Sequence, residues 1–124
     1  MIAYITIGTN DIEAAGKYYD ELLGVLGAGR AMESDRFIGW ATAPGTPMVA
    51  VIKPFDEQPA TPGNGMMVSL AAGRNEMVDA LHAKAMELGS KDEGAPGDRV
   101  EGAFCLGYWR DLEGNKIAAF HAAG

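Results

Sequence analysis

Apolar and polar positions alternate from Ala3 to Gly8 (AYITIG), and the run is β-branched, so the chain is expected to enter a strand at once. Thr9, Asn10 and Asp11 follow, with Glu13 three residues after Asn10 in the manner of a capping box, which predicts a helix start. Ile12, Ala15, Tyr19, Leu22, Leu23 and Leu26 then recur at helical spacing, and Gly24 and Gly27 supply the stop. Short strands are expected near 29–32, 36–42 and 48–55, the last two joined through the turn APGTP. The stretch DEQPATPGNG (56–65) has no periodicity and reads as a connector. After it the order restarts. GMMVSLAA (65–72) reads as a strand; Met77, Leu81, Ala85 and Leu88 mark a helix face ending at Gly89. SKDEGAPGDRVEG (90–102) reads as a long polar loop, and 103–111 with 116–121 as a hairpin.

Side by side, the halves share this order. Tyr4 stands 22 residues before Leu26, and Met66 stands 22 residues before Leu88. The expectation is two βαβββ modules, 1–55 and 66–124, with 56–65 as linker, in one compact α+β domain. A unit of one helix and a few strands cannot cover both its faces alone. Two curved sheets whose concave faces enclose a cavity are therefore anticipated.

Composition narrows the function. The 124 residues suit one domain with a real core, and a hydrophobic fraction of 48% is that of a globular protein. The net charge of -7 argues against nucleic acid, which requires a clustered basic face. No stretch approaches the roughly 20 apolar residues of a membrane helix, and the first residues show no signal-peptide pattern, so the cytoplasm is the expected compartment. Cys105 stands alone, which excludes a disulfide framework or a CxxC zinc motif.

The opening YITIGTND…YYDELLG and the closing YWRDLEGNKIAAFH resemble the glyoxalase/bleomycin-resistance/dioxygenase superfamily, the vicinal oxygen chelate proteins. The closing segment resembles that family's (Y/F)xxDPDGNxxE hairpin: Asp111, Gly114 and Asn115 match, while Leu112 and Glu113 replace Pro and Asp. The resemblance implies paired βαβββ modules around a cavity, a homodimer and, in metal-dependent members, four His, Gln or Glu ligands. Matched by pattern, the ligand positions fall on Tyr4, about Ala50, Met66 and Ala118, none an ordinary ligand of a hard divalent metal. A shift of one residue, to Ile5, Met67 or Ile117, is no better. No metal or other cofactor is therefore expected, and metal-dependent glyoxalase or dioxygenase chemistry is set aside.

Strand alternation places Tyr4, Thr6, Ala50, Ile52, Met66, Val68, Ala118 and Phe120 on one largely apolar face. Such a face either lines a small-molecule pocket or fills the core. Trp40, Tyr108 and Trp109 offer rings for a planar or cationic ligand, or for core and interface packing. Arg36 and Arg110 would each suit an anionic group, with a local salt bridge as the alternative at Arg110. The ligand-binding candidates are thus Tyr4, Thr6, Trp40, Ile52, Met66, Val68, Tyr108, Arg110 and Phe120. His82 and His121 are expected at the surface or an interface, Cys105 as a small strand hydrophobe, and Lys53 near the cavity mouth. No catalytic residue stands out. A metal-free binding protein is the favoured reading; the alternative is a metal-independent lyase or isomerase using Tyr4, Arg110 or His121.

Overall fold

The first helix starts where Asp11, not Asn10, can cap it. In the computed structural model, which describes residues 1–122, Asp11 has extended backbone and its Oδ1 accepts the Ala14 N–H at 3.0 Å. Asn10 is turned elsewhere: it donates to the Ala60 carbonyl at 3.1 Å and accepts the Ala60 N–H at 2.7 Å. From this cap α1 runs Ile12–Gly24 and buries Ala15, Tyr18, Tyr19, Leu22 and Leu23. It ends on Gly27, whose φ of 78° lets the Ala28 N–H return to the Leu23 carbonyl at 3.1 Å.

Around α1 the first unit sets β1 (Tyr4–Gly8), β2 (Gly29–Glu33), β3 (Phe37–Ala41) and β4 (Met48–Ile52) in the order β1-β4-β3-β2. β1 pairs with β4 in parallel, and the other pairs are antiparallel. Ile7, Ile38, Trp40 and Val51 are buried on the face covered by α1. Alternation sends Tyr4, Thr6, Phe37, Gly39, Met48, Ala50 and Ile52 to the helix-free face.

The second unit repeats the plan with β5 (Val68–Ala71), α2 (Asn75–Glu87), β6 (Lys91–Arg99), β7 (Phe104–Arg110) and β8 (Lys116–Ala122), in the order β5-β8-β7-β6. Its helix buries Val78, Leu81, His82 and Ala85, and ends by the same device, Gly89 at φ 94° with the Ser90 N–H on the Ala85 carbonyl at 3.0 Å. The two compact units are Met1–Thr61 and Pro62–Gly124, so the division falls inside the proline- and glycine-rich connector. Each sheet is open, and the architecture is α+β with two βαβββ units.

Two expectations need correction. The polar stretch expected as a loop contains β6, paired antiparallel to β7 with register shifts at Gly94 and Gly97. An edge strand needs neither alternation nor an apolar face, and there its bulges accommodate Gly94, Pro96 and Gly97. The match between halves is also displaced by one residue. From N-cap to terminal glycine the chain runs Asp11 to Gly27 in the first unit and Arg74 to Gly89 in the second, one residue less. Counting back from the glycines therefore arrives at Met66. The hydrogen bonds fix the register instead: Thr9 N–H on the Ile52 carbonyl corresponds to Ala72 N–H on the Phe120 carbonyl. Tyr4 accordingly corresponds to Met67, Thr6 to Ser69, and Ala50 to Ala118.

Candidate functional site

The helix-free face of the first sheet is hydrophobic and indented. The Tyr4 ring stands edge-on to Phe37, centroids 6.1 Å apart and planes at 90°. Between the strands Gly39 leaves room: a Cβ there would lie 3.3 Å from both Met48 Sδ and Phe37 Cε1. Tyr4, Met32, Glu33, Ser34, Phe37 and Met48 line a cavity of about 310 Å³. Two of its lining side chains, Phe37 and Met48, also close over Gly39, which has none of its own. Thr6 lies exposed on this face beside Ala50, and Ile52 is half-buried opposite Phe37.

Trp40 does not join them. It is 1% exposed on the α1-covered face, where Nε1 donates to Asp20 Oδ1 at 2.9 Å. Arg30 closes a fork on the same carboxylate, with Nε 2.9 Å from Oδ1 and Nη2 2.9 Å from Oδ2, and its guanidinium carbon lies 5.9 Å from the Trp40 ring centre. The Arg30 hydrogen bonds, aided by Trp40, hold the Asp20 carboxyl below the ordinary carboxylate range despite burial. Trp40 is thus part of a strand-to-helix clamp. Arg36 is similarly occupied: it donates to the Pro54 carbonyl at 2.9 Å and the Lys53 carbonyl at 3.3 Å, with Glu57 at 3.9 Å.

In the second unit the displaced register moves two sequence candidates. Val68 pairs with Ile117 on the α2-covered face, and Met66 lies before β5, exposed. The helix-free face carries Ser69, Ala118, Phe120, Leu106, Tyr108 and Arg110. Phe120 packs on Phe104 at 5.3 Å. Tyr108 lies between cations: Lys116 Nζ is 5.2 Å from the ring centre and Arg99 Cζ 5.9 Å. Arg110 Nε donates to Glu93 at 2.8 Å and Nη1 to the Gly114 carbonyl at 3.1 Å. The Arg110 hydrogen bond, then the fields of Arg110, Lys91 and Lys116, lower the Glu93 carboxyl from its usual range.

The remaining titratable candidates lie under α2. His82, expected at the surface, is 8% exposed; its Nε2 is 3.0 Å from Asp92 Oδ1 and its ring stands edge-on to Trp109. Its helical position alone gave no sign that the Asp92 strand would lie over it. Asp92 also accepts the Gly94 N–H at 2.9 Å, and these bonds lower its pKa, the Gly94 amide contributing most. His121 Nδ1 is 2.9 Å from Asn75 Oδ1. Cys105 is buried, and burial pushes its thiol up, away from the nucleophilic form. Sequence reasoning does not single out Arg99, Glu93 or Lys116, the first two because the polar stretch 90–102 carries no strand period. Lys116 was legible: strand pairing in the closing hairpin sets it opposite Arg110.

Among the described residues no group of three or more His, Cys, Asp and Glu is arranged to hold a metal ion. The strand positions corresponding to one another across the units are Tyr4 and Met67, and Ala50 and Ala118.

No family model and no curated relative matches the chain. Solved structures do. A glyoxalase/bleomycin resistance protein from Albidiferax ferrireducens T118 is 36% identical, with 99% of each chain covered and a TM-score of 0.90. A glyoxalase/bleomycin resistance protein/dioxygenase family enzyme from Burkholderia phytofirmans PsJN aligns over 98% of each chain at 18% identity and TM-score 0.76. A lactoylglutathione lyase from Agrobacterium tumefaciens shares the fold at 17% identity and TM-score 0.70, over 97% of this chain and 92% of its own. Paired βαβββ units and this likeness define a vicinal oxygen chelate fold; the chain belongs to the glyoxalase/bleomycin resistance family.

Proposed function

We propose that this family member works without the family's metal centre and binds a small, planar organic molecule against a helix-free sheet face. The observation that carries the reading is the donor set. The corresponding strand positions hold a phenol, a thioether and two methyl groups at Tyr4, Met67, Ala50 and Ala118. A hard divalent ion that polarises two neighbouring oxygens needs imidazole or carboxylate donors, and these side chains do not fit it. The mechanism therefore contains no step through a metal.

The side chains that remain suit binding. Tyr4, Phe37 and Met48 offer two perpendicular rings and a deformable thioether around the cavity of about 310 Å³. Thr6, Ile52 and Phe120 extend the same faces. Acid–base chemistry finds less support, because His82 and His121 are engaged with Asp92 and Asn75. The protein is further proposed to act as a cytoplasmic homodimer, which exposed Ile2, Met66 and Met67 support as surface to be covered.

Metal analysis of the purified protein, with thermal-shift titration against Mn, Ni, Zn and Fe(II), tests the reading. No bound metal and no shift are expected, whereas planar organic molecules raise Tm by mass action and are recovered unchanged. A stoichiometric metal with a clear shift overturns it. Light scattering tests the dimer.

A further inference from the structure

The two sheets follow one plan but carry different chemistry on their helix-free faces. Tyr108 corresponds to Gly39, since each pairs with the alanine at the centre of its sheet, Ala118 and Ala50. Two residues along the strands, Arg110 and Lys116 correspond to Ala41 and Met48. The first unit builds the same sheet with none of these polar groups, so the architecture does not demand them. They are an addition.

The addition is a local inversion of charge. In a chain of net charge -7, Arg99 and Lys116 flank the Tyr108 ring, Arg110 stands two residues further along β7, and Lys91 pairs with Arg110 from β6. Glu93 is the carboxylate placed among them, and it is bound to Arg110. Arg99 is fixed by the Asp98 and Ala95 carbonyls at 3.2 and 3.1 Å. Arg99 and Lys116 meet no carboxylate within ion-pair range among the described residues, and Lys116 reaches Glu93 only through its field. Asp92 and Asp98 alternate to the other face, where Asp92 meets His82 and Asp98 pairs with buried Cys105. Beside the cations lie Leu106, Phe104 and Phe120, an apolar platform continuous with Ala118.

We propose that this face, centred on Tyr108 and Lys116, binds a small aromatic anion, its ring over Leu106 and Phe120 and its carboxylate or phosphate toward Lys116, with Arg99 adding to the positive field. The proposal rests on the reading that the sheet faces bind a small molecule, and specifies the ligand's charge. An anion meeting a cation that a ring already preorients gains a charge-assisted hydrogen bond with little ordering cost. A cationic ligand would instead displace or face these same groups.

Benzoate, benzyl alcohol and benzylammonium share one ring and differ in charge, so calorimetric titration with the three on the full chain isolates the anion. Benzoate is expected to bind about tenfold tighter than benzyl alcohol at low salt, and to lose that preference as ionic strength rises. Lys116→Met restores the residue type of the first unit, Met48, and should preserve Tm while reducing the preference to about threefold or less. Benzyl alcohol or benzylammonium binding as tightly as benzoate overturns the inference and leaves the binding reading standing. Binding of none of the three, together with no hit among neutral planar molecules, overturns both. A preference for benzoate unchanged in Lys116→Met also overturns it, as does a fall in oligomeric mass in that variant with benzoate affinity unchanged, which would make the patch a protein interface.

Discussion

Asn115 donates to the Asp111 carboxylate through both its backbone and its side chain: the backbone N–H reaches Oδ1 at 2.9 Å and the side-chain amide Oδ2 at 3.1 Å. The same Oδ1 accepts the Glu113 N–H at 2.9 Å, and the Asp111 N–H returns to the Asn115 carbonyl at 2.9 Å. Gly114, at φ 90°, completes the reversal between β7 and β8. The residues that match the family's closing motif therefore build a turn, and do so independently of any metal chemistry. Asp111 is 6% exposed. Asp111→Ala should cost about 2–3 kcal/mol, since it removes a charged acceptor and orphans several donors. A urea midpoint equal to that of the parent would refute this account of the motif.

Trp40→Phe separates clamp from site. The variant loses the Nε1–Asp20 bond but keeps a ring under α1, and Arg30 still holds Asp20. The expected cost is about 1 kcal/mol in denaturant unfolding. Affinity for a planar ligand should not change, because the Trp40 side chain lies beneath the helix. Weaker binding at unchanged stability would return Trp40 to the site.

What was legible in the sequence depended on where burial enforced a pattern. α1 and the strand 3–8 each have one face against the core, so their periods of 3.6 and 2 survive in the residues. The resemblance, carried by the opening and closing motifs, gave the family and the paired architecture. β6 was not legible, because an edge strand with Gly94, Pro96 and Gly97 is held by backbone bonds to β7 that leave no periodic trace. Met66 and Val68 were displaced by a single residue, enough to exchange the faces of β5. Trp40 offers a ring that the sequence cannot orient, and only the Asp20–Arg30 fork, ten residues apart in sequence, shows why it is turned to α1.

The pair of His82 and Asp92 should give stability a pH dependence at its acid end. The Gly94 amide and then His82 lower the folded-state pKa of Asp92 below its unfolded value of about 3.9. A carboxyl of this kind contributes stability above its unfolded pKa and loses it as pH falls through the folded one. Asp92→Asn should thus be less stable than the parent at pH 6, and the gap should close below about pH 4. Urea midpoints for both proteins from pH 6 to 3 provide the check. A gap that widens on acidification would contradict the sign.

The last prediction concerns the absent side chain at Gly39. A Cβ there meets Met48 Sδ and Phe37 Cε1 at 3.3 Å, closer than relaxed contact but against two side chains that can rotate. Gly39→Val should therefore fold, with stability within about 1 kcal/mol of the parent, since a β-branched residue suits a strand and the glycine's entropy cost is removed. The displaced Met48 and Phe37 have the cavity of about 310 Å³ to move into, which they share with Tyr4 and Met32. Filling it should lower the affinity of a planar ligand bound there by about tenfold or more, with the benzoate preference at Tyr108 unaltered. Calorimetric titration of the variant reads both. Undiminished affinity in a folded Gly39→Val protein would move the planar ligand away from the Tyr4–Phe37–Met48 pocket.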